Sequence, residues 1–129
     1  FHLEFFRDDR DGGITALEVN MRPPGGLTTD MFNYANDIDV YRGWAQVVGR
    51  NEFRQAWSRP YHCGYVGRKR SKRYVHSHDE VLRAFGHLVP HHEEMNSIFR
   101  QAIGDYGYLV RSKDVGEILA AVRFIHETA

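Results

Sequence analysis

Hydrophobic and polar residues alternate over two stretches near the start of the chain, a pattern typical of β-strands. The first covers residues 1–7, Phe-His-Leu-Glu-Phe-Phe-Arg, and the second covers residues 17–22, Leu-Glu-Val-Asn-Met-Arg. Between them, residues 8–13 are polar and end in two glycines, which is a turn signal. We therefore predict a β-hairpin at this end of the chain.

The second strand places a carboxylate, an amide and a guanidinium on one face, because side chains of a strand alternate sides. These groups belong to Glu18, Asn20 and Arg22. If the turn centres near Asp11, Glu4 lies opposite Glu18, at a Cβ separation of roughly 5 Å. Facing carboxylates are destabilising unless a positive charge lies between them. Oxygen ligands of this kind suit Mg²⁺, whereas the alternative is a surface strand with accidental polar neighbours.

Helical spacing of hydrophobic residues follows the hairpin. Thr28 or Thr29 is expected to cap a first helix, and Asp37 to cap a second helix that ends at Gly49. Residues 51–59 remain open as either a helical extension or a linker. Both helices are interpreted as packing elements without chemistry.

The second half of the chain predicts strands and two further helices. Residues 61–67 and 73–77 are expected to pair as a hairpin with the basic tip Arg-Lys-Arg-Ser-Lys at 68–72. The tip is interpreted as a solvated turn, with phosphate binding as the alternative. The further elements are a helix from a Ser77–Glu80 capping box, a strand at 106–110 and a final helix capped by Asp114 with Glu117.

Composition narrows the class of protein. The 129 residues are 42% hydrophobic and 26% charged, which suits one globular domain, and equal counts of 17 basic and 17 acidic residues argue against a dedicated nucleic-acid binder. No apolar run reaches the roughly 20 residues of a membrane span. A single cysteine excludes an internal disulfide and favours a cytoplasmic location. Because the chain opens inside a strand pattern without Met, we expect a fragment of a longer protein.

Two pairs of histidines are candidate transition-metal ligands. His76 with His78, and His91 with His92, lack zinc spacing and are interpreted as ordinary surface residues. Cys63 has no evident partner in the sequence for a nucleophilic role. The hairpin therefore carries the strongest chemical signal.

The two hairpin strands resemble the last two catalytic strands of the ATP-grasp superfamily. These are carboxylate-to-amine ligases that include biotin carboxylase and the large chain of carbamoyl phosphate synthetase. The resemblance rests on Phe-His-Leu-Glu-Phe-Phe at 1–6 and Ile-Thr-Ala-Leu-Glu-Val-Asn-Met-Arg-Pro-Pro-Gly-Gly at 14–26. It covers about the first quarter of the chain, and the Pro-Pro-Gly-Gly continuation favours the amino-acid or small-carboxylate ligase branches.

The resemblance implies a role for five residues. Glu4, Glu18 and Asn20 match the ligands that hold Mg²⁺, or alternatively Mn²⁺, on the phosphates of ATP. Arg22 matches the catalytic contact to phosphate or acyl phosphate. Phe6 matches a position that lines the nucleotide pocket, so Phe6, Glu18 and Arg22 are the expected ATP contacts.

The resemblance also implies a fold and a reaction. The expected fold is α+β, the C-terminal portion of an ATP-grasp domain, with an antiparallel sheet and helices packed on one side. Residues 1–59 would hold the metal- and nucleotide-binding strands with their bracing helices, and 60–129 a β-hairpin and an α/β tail. The expected reaction is an ATP-dependent ligation of a carboxylate to an amine or a thiol through an acyl phosphate.

The implied partners are ATP, a small carboxylate and the upstream part of the same polypeptide, and a homo-oligomer remains open. In the family, the lysines and the glycine-rich loop that cover the phosphates lie upstream, so the isolated chain is expected to be inactive. Two alternatives remain: a non-catalytic interaction module that keeps the fold, and a phosphate- or nucleic-acid-binding fragment that uses the basic tip.

Overall fold

The computed structural model describes residues 2–56 and 58–129, so Phe1 of the predicted first strand and Trp57 of the stretch 51–59 lie outside it. The described residues form an α+β fold with antiparallel sheets, which confirms the predicted class. In chain order the elements are β1 (His2–Arg7), β2 (Ile14–Asn20), α1 (Thr28–Asn36), α2 (Val40–Arg50), β3 (His62–Arg68), α3 (His78–Phe85), a 3₁₀ turn (Gly86–Leu88), β4 (His91–Glu94), α4 (Ser97–Ile103), β5 (Tyr106–Ser112) and α5 (Val115–His126).

The strands form two separate sheets. β1 and β2 pair as a two-stranded hairpin, while β3, β5 and β4 form a three-stranded sheet with β5 in the middle. β5 has a near-continuous hydrophobic run because helices pack on both faces of the sheet at this strand, α5 on one face and α1 on the other. Tyr108, Leu109 and Val110 are accordingly buried.

The main core lies between one face of the three-stranded sheet and the helices α3 and α5. Val66 and Val110 of the sheet pack in one cluster with Val81 of α3 and with Ile118 and Ile125 of α5. This stripe on α5 agrees with the helical spacing in the sequence. The expectation of helices on one side of the sheet holds only for α3 and α5.

The opposite face of the three-stranded sheet contacts α1 and α4. Tyr65 of β3 donates a 3.0 Å hydrogen bond to the carbonyl oxygen of Ile103 at the end of α4. Tyr65 also shares a cavity with Met31 of α1. At Gly67 a Cβ would lie 2.0 Å from the carbonyl oxygen of Ile103, so only glycine allows this close approach of β3 to α4.

The predicted hairpin of residues 61–67 and 73–77 is wrong. β3 pairs along its whole length with β5, so that Tyr65 lies opposite Leu109. In the stretch 73–77, Tyr74 makes a single bridge to Thr128. A turn does form after β3, but the chain then leaves the sheet and enters α3.

The interpretation of residue 68 as part of a solvated basic tip is also wrong. Arg68 is 9% exposed, and its guanidinium donates 2.8 Å hydrogen bonds to the carbonyl oxygens of Ile125 and His76. Its central carbon lies 4.5 Å from the centre of the Tyr74 ring. Arg70 pairs with Glu94 at 2.7 Å. Arg68 is therefore not free to bind a phosphate, which removes one cation from the phosphate-binding alternative.

Helix ends in the first half differ from the predicted caps. Thr28 donates its hydroxyl to the carbonyl oxygen of Gly25 and does not cap α1. Asp37 ends α1 in a left-handed conformation with φ 55°, and Asp39 is the residue that caps α2. α2 ends at Arg50, one residue beyond the predicted Gly49, and the described part of 51–59 is a loop and not a helical extension.

Two elements had no counterpart in the sequence prediction. β4 is a short, polar edge strand that contains His91 and His92, and α4 is a helix of seven residues. Both elements are too short to show a recognisable hydrophobic periodicity in the sequence. Among the helices of the described chain, none is both long enough and apolar enough to cross a bilayer.

Candidate metal centre at the first hairpin

The register of the first hairpin brings the predicted carboxylates face to face. Glu4 pairs directly with Glu18, and His2 pairs with Asn20. A β-bulge next to Glu4 places Leu17 as an extra residue in β2. Bulges occur often beside functional sites because they redirect side chains. The predicted position of Glu4 opposite Glu18 is thus confirmed.

Local hydrogen bonds in the turn fix the pairing of Arg7 with Ile14, and the bulge then shifts the register by one residue to bring Glu4 opposite Glu18. The amide nitrogen of Asp8 donates to the carbonyl oxygen of Gly13, and that of Gly12 donates to the carbonyl oxygen of Asp8, both at 2.8 Å. Gly12 has φ +74°, a conformation that L side chains rarely adopt. Arg10 donates two hydrogen bonds from its guanidinium and a third from its backbone N–H to the Asp8 carboxylate, which lower the pKa of Asp8.

Four side chains meet on one face of the hairpin. The ligand atoms of His2, Glu4 and Glu18 all lie within 4.8 Å of one another, and these three form the group of potential metal ligands found in residues 2–56 and 58–129. Asn20 joins them by donating from Nδ2 to Glu18 Oε1 at 2.6 Å. We call His2, Glu4, Glu18 and Asn20 the hairpin cluster.

His2 is the member that sequence reasoning missed. Its signal was present, because a register that pairs Glu4 with Glu18 in an antiparallel hairpin also pairs His2 with Asn20. The predicted all-oxygen ligand set thereby gains an imidazole nitrogen. Mn²⁺ accepts both carboxylate and imidazole ligands, so the observed set suits Mn²⁺ better than Mg²⁺.

Three polar groups surround the His2 ring. His2 Nδ1 lies 3.1 Å from the carbonyl oxygen of Arg22, which can only accept, so Nδ1 carries a proton. His2 Nε2 lies 3.1 Å from Glu4 Oε1 and 3.2 Å from Asn20 Nδ2. The four side chains together offer an imidazole nitrogen, two carboxylates and an amide oxygen, a donor set that fits a divalent ion.

The side chains of Arg22 and Phe6, which the resemblance implies as ATP contacts, do not belong to the hairpin cluster. β2 ends at Asn20, so Met21 and Arg22 lie in a bend and not in the predicted strand 17–22. The Arg22 side chain donates to the carbonyl oxygen of Pro23 at 3.2 Å, while its main-chain oxygen contacts His2. Phe6 pairs with Thr15 and is 63% exposed.

The hydrophobic face of the hairpin is exposed. Leu3 and Val19 lie opposite each other in the register, and both are exposed. Met21 beyond the strand is 82% exposed. The sequence pattern indicates the two faces correctly, but no element among the described residues covers the hydrophobic one.

An apolar cavity of about 330 Å³ opens beside the hairpin cluster. His2 forms part of its wall, and Pro24, Phe32, Val40 and Trp44 supply apolar surface. The cavity lies where the segment after β2 meets the helices α1 and α2. A ligand in this cavity would touch the same histidine that belongs to the cluster.

The polar groups near this cavity are already paired with each other. Tyr41 lines the cavity, and its hydroxyl donates to the two carboxylate oxygens of Asp30 at 3.2 and 3.3 Å. Burial, and then the Asp30 charge, raise the pKa of Tyr41. The buried Thr29 also lines the cavity.

Three of the other histidines make contacts in the second half of the fold. His76 stacks on Phe124 at 3.5 Å, whereas His78 Nδ1 lies 2.9 Å from the Tyr108 hydroxyl. His92 Nδ1 lies 2.6 Å from the hydroxyl of Tyr106. Burial raises the pKa of Cys63 to about 11, so its thiol stays protonated at neutral pH.

No protein-family model, no curated protein and no solved structure matches the chain.

Proposed function

We propose that this chain is the metal- and ATP-binding C-terminal segment of an ATP-grasp ligase. The proposed reaction joins a carboxylate to an amine or a thiol through an acyl phosphate, in the cytoplasm. The observation that carries the proposal is the pairing of Glu4 with Glu18 across the hairpin, with His2 and Asn20 as the next pair. Facing carboxylates are destabilising in a sheet unless a positive charge lies between them, and a divalent cation supplies that charge.

Each residue of the hairpin cluster has a role in this proposal. Glu4 and Glu18 supply carboxylate oxygens to a divalent cation, and Asn20 turns its amide to offer oxygen. His2 supplies a ring nitrogen that the carbonyl oxygen of Arg22 keeps in the correct tautomer. When bound, the cation neutralises charge on the phosphates of ATP.

Arg22 and Phe6 complete the proposed nucleotide contacts. The guanidinium of Arg22 is exposed, so it can leave the carbonyl oxygen of Pro23 and contact a phosphate. Phe6 lies on the same strand as Glu4 and offers an apolar surface to the base. The lysines and the glycine-rich loop implied by the resemblance are proposed to lie in the upstream part of the same polypeptide.

Manganese binding tests the proposal directly. Titration followed by electron paramagnetic resonance should show one bound Mn²⁺ per chain, and Glu18→Gln should weaken binding by about tenfold or more. Asp9→Asn, which removes a carboxylate from the turn of the same hairpin, is the matched control and should bind as the wild type does. Equal binding by Glu18→Gln and the wild type would overturn the metal centre.

A nucleotide experiment tests the remaining part of the proposal. The isolated chain is expected to release no phosphate from ATP above a Glu18→Ala control, because the residues that would cover the phosphates are not in it. In the presence of Mn²⁺, wild-type chain should bind ATP more tightly than Glu18→Ala. Sustained hydrolysis by the wild type alone, or ATP binding that ignores Mn²⁺ and Glu18, would contradict the proposal.

A further inference from the structure

The cavity beside the hairpin cluster has the properties of a substrate pocket. Its volume of about 330 Å³ lies at the lower end of the roughly 300–1,000 Å³ range typical of small-molecule sites. Its walls come from four separate segments, namely β1, the proline pair after β2, α1 and α2. Most of the wall is apolar, which excludes a strongly polar ligand tail.

The position of His2 connects the cavity to the cluster. His2 lines the cavity and also lies within 4.8 Å, by its ligand atoms, of Glu4 and Glu18. A molecule that fills the cavity with an apolar group can therefore reach the cluster with its other end. That end cannot be a bare anion, because two carboxylates would repel it, unless a cation lies between them.

We infer that the cavity holds the apolar tail of the carboxylate substrate, with the carboxylate directed to the divalent cation at the hairpin cluster. This inference rests on the proposed function for the cation and names the substrate class: a small carboxylate with an aromatic or branched aliphatic side chain. Phe32 and Trp44 supply the aromatic surface, and Val40 and Pro24 supply the aliphatic surface.

The same cavity wall should select against substrates with a polar or charged side chain. The Tyr41 hydroxyl is hydrogen-bonded to Asp30, so it is not a free donor for a polar tail. The Thr29 side chain is buried against the cavity. A substrate with a charged side chain would lose its hydration here without gaining a partner.

Trp44 makes binding measurable without labels. It is one of two tryptophans, so a Trp57→Phe background leaves Trp44 as the single emitter. The probe is 3-phenylpropionate, titrated with MnCl₂ present, and acetate is the carboxylate without a tail. We expect 3-phenylpropionate to bind about tenfold or more tightly than acetate, since it buries a ring comparable to a Phe side chain.

Two variants locate the probe. Val40→Phe fills the cavity from the first turn of α2, and Phe32→Ala removes an exposed part of its wall, so that one variant serves if the other does not fold. Each should weaken binding of 3-phenylpropionate at least about fivefold, since apolar contact is lost. Val48→Phe is the matched control, because Val48 lies on the same helix, is 72% exposed and lines a neighbouring cavity.

The two proposals fail in different ways. If Mn²⁺ binds to the hairpin cluster but 3-phenylpropionate binds no better than acetate, or binds equally to both cavity variants, the inference about the cavity is overturned and the metal centre stands. If the cavity variants weaken 3-phenylpropionate but Mn²⁺ does not bind, the metal centre is overturned, and with it the link between the carboxylate and a cation.

Discussion

The Nε atom of Arg68 donates a 2.8 Å hydrogen bond to the carbonyl oxygen of Ile125, which joins the end of β3 to the last turn of α5. The last carbonyl groups of a helix have no partner within the helix, and a cation there also interacts favourably with the helix dipole. Arg68 therefore stabilises the end of α5 from a neighbouring strand. A second bond to the carbonyl oxygen of His76 holds the segment that leads into α3.

Replacing this arginine should destabilise the fold. Arg68→Met keeps much of the side-chain volume but leaves two inward-facing carbonyl groups without this donor, which should lower the free energy of unfolding by about 1–3 kcal/mol. Urea denaturation is the measurement. The control is Lys72→Met, at an exposed position of the following turn, which should change the free energy of unfolding by less than about 0.5 kcal/mol. Equal stability of the two variants would contradict the structural role of Arg68.

Stability should fall in mild acid through His92. Burial, followed by the charges of His78 and His91, lowers the pKa of His92 below its usual 6.5. A group whose pKa is lower in the folded state favours folding above its ordinary pKa, and this contribution is lost as the pH falls through the folded-state pKa. The melting temperature of the wild type should therefore decline below about pH 6.5.

The matched variants isolate this histidine. His92→Gln should show a smaller decline in melting temperature between pH 7 and pH 5 than the wild type. His62→Gln, which changes an exposed histidine of β3, should keep the wild-type decline. Identical pH profiles for His92→Gln and the wild type would show that another group causes the change.

A third carboxylate at the hairpin cluster should lower the stability of the metal-free protein and increase the stabilisation that a bound metal gives. Asn20→Asp removes the amide donor to Glu18 and adds a negative charge beside it. In EDTA this should lower the free energy of unfolding by about 1 kcal/mol, the order of one lost hydrogen bond, because the new carboxylate cannot donate to Glu18 on the same strand. MnCl₂ should then raise the melting temperature of Asn20→Asp more than that of the wild type.

The control for this prediction adds a carboxylate elsewhere. Asn96 caps α4 through its side chain, and Asp is an equally good cap, so Asn96→Asp should respond to EDTA and MnCl₂ as the wild type does. If Asn20→Asp and Asn96→Asp gain the same from MnCl₂, the gain is not due to the hairpin cluster.

The thiol of Cys63 should react slowly in the folded protein. Burial raises its pKa to about 11, although the charge of Arg111 opposes this shift. Because only the thiolate is nucleophilic, the rate of alkylation by iodoacetamide should rise roughly tenfold per pH unit from 8 to 10 without reaching a plateau. The urea-unfolded chain should react faster at pH 8. A plateau below pH 9 in the folded chain would contradict the raised pKa.

The sequence alone determined features that depend on neighbouring residues. The alternation in the first two strands, with the glycine-ended turn, was sufficient to predict the hairpin, because a short turn joins neighbouring antiparallel strands. The pairing of Glu4 with Glu18 also needs the bulge, because the register at the turn, Arg7 with Ile14, would otherwise bring Leu17 opposite Glu4. The capping box of Ser77 and Glu80 formed as predicted, since both partners lie within one helical turn. His2 lies beyond the same bulge, so its position opposite Asn20 depends on that bulge as well.

The tertiary structure decided which distant segments pair. Residues 61–67 had a plausible neighbour in 73–77, yet β3 pairs with β5 some forty residues away, where both faces of the shared sheet are covered. The same packing turned Arg68 from an apparent surface charge into a buried donor. Burial and long-range pairing depend on contacts summed over the whole core, whereas turns and caps depend on a few adjacent residues, so only the latter can be read along the chain.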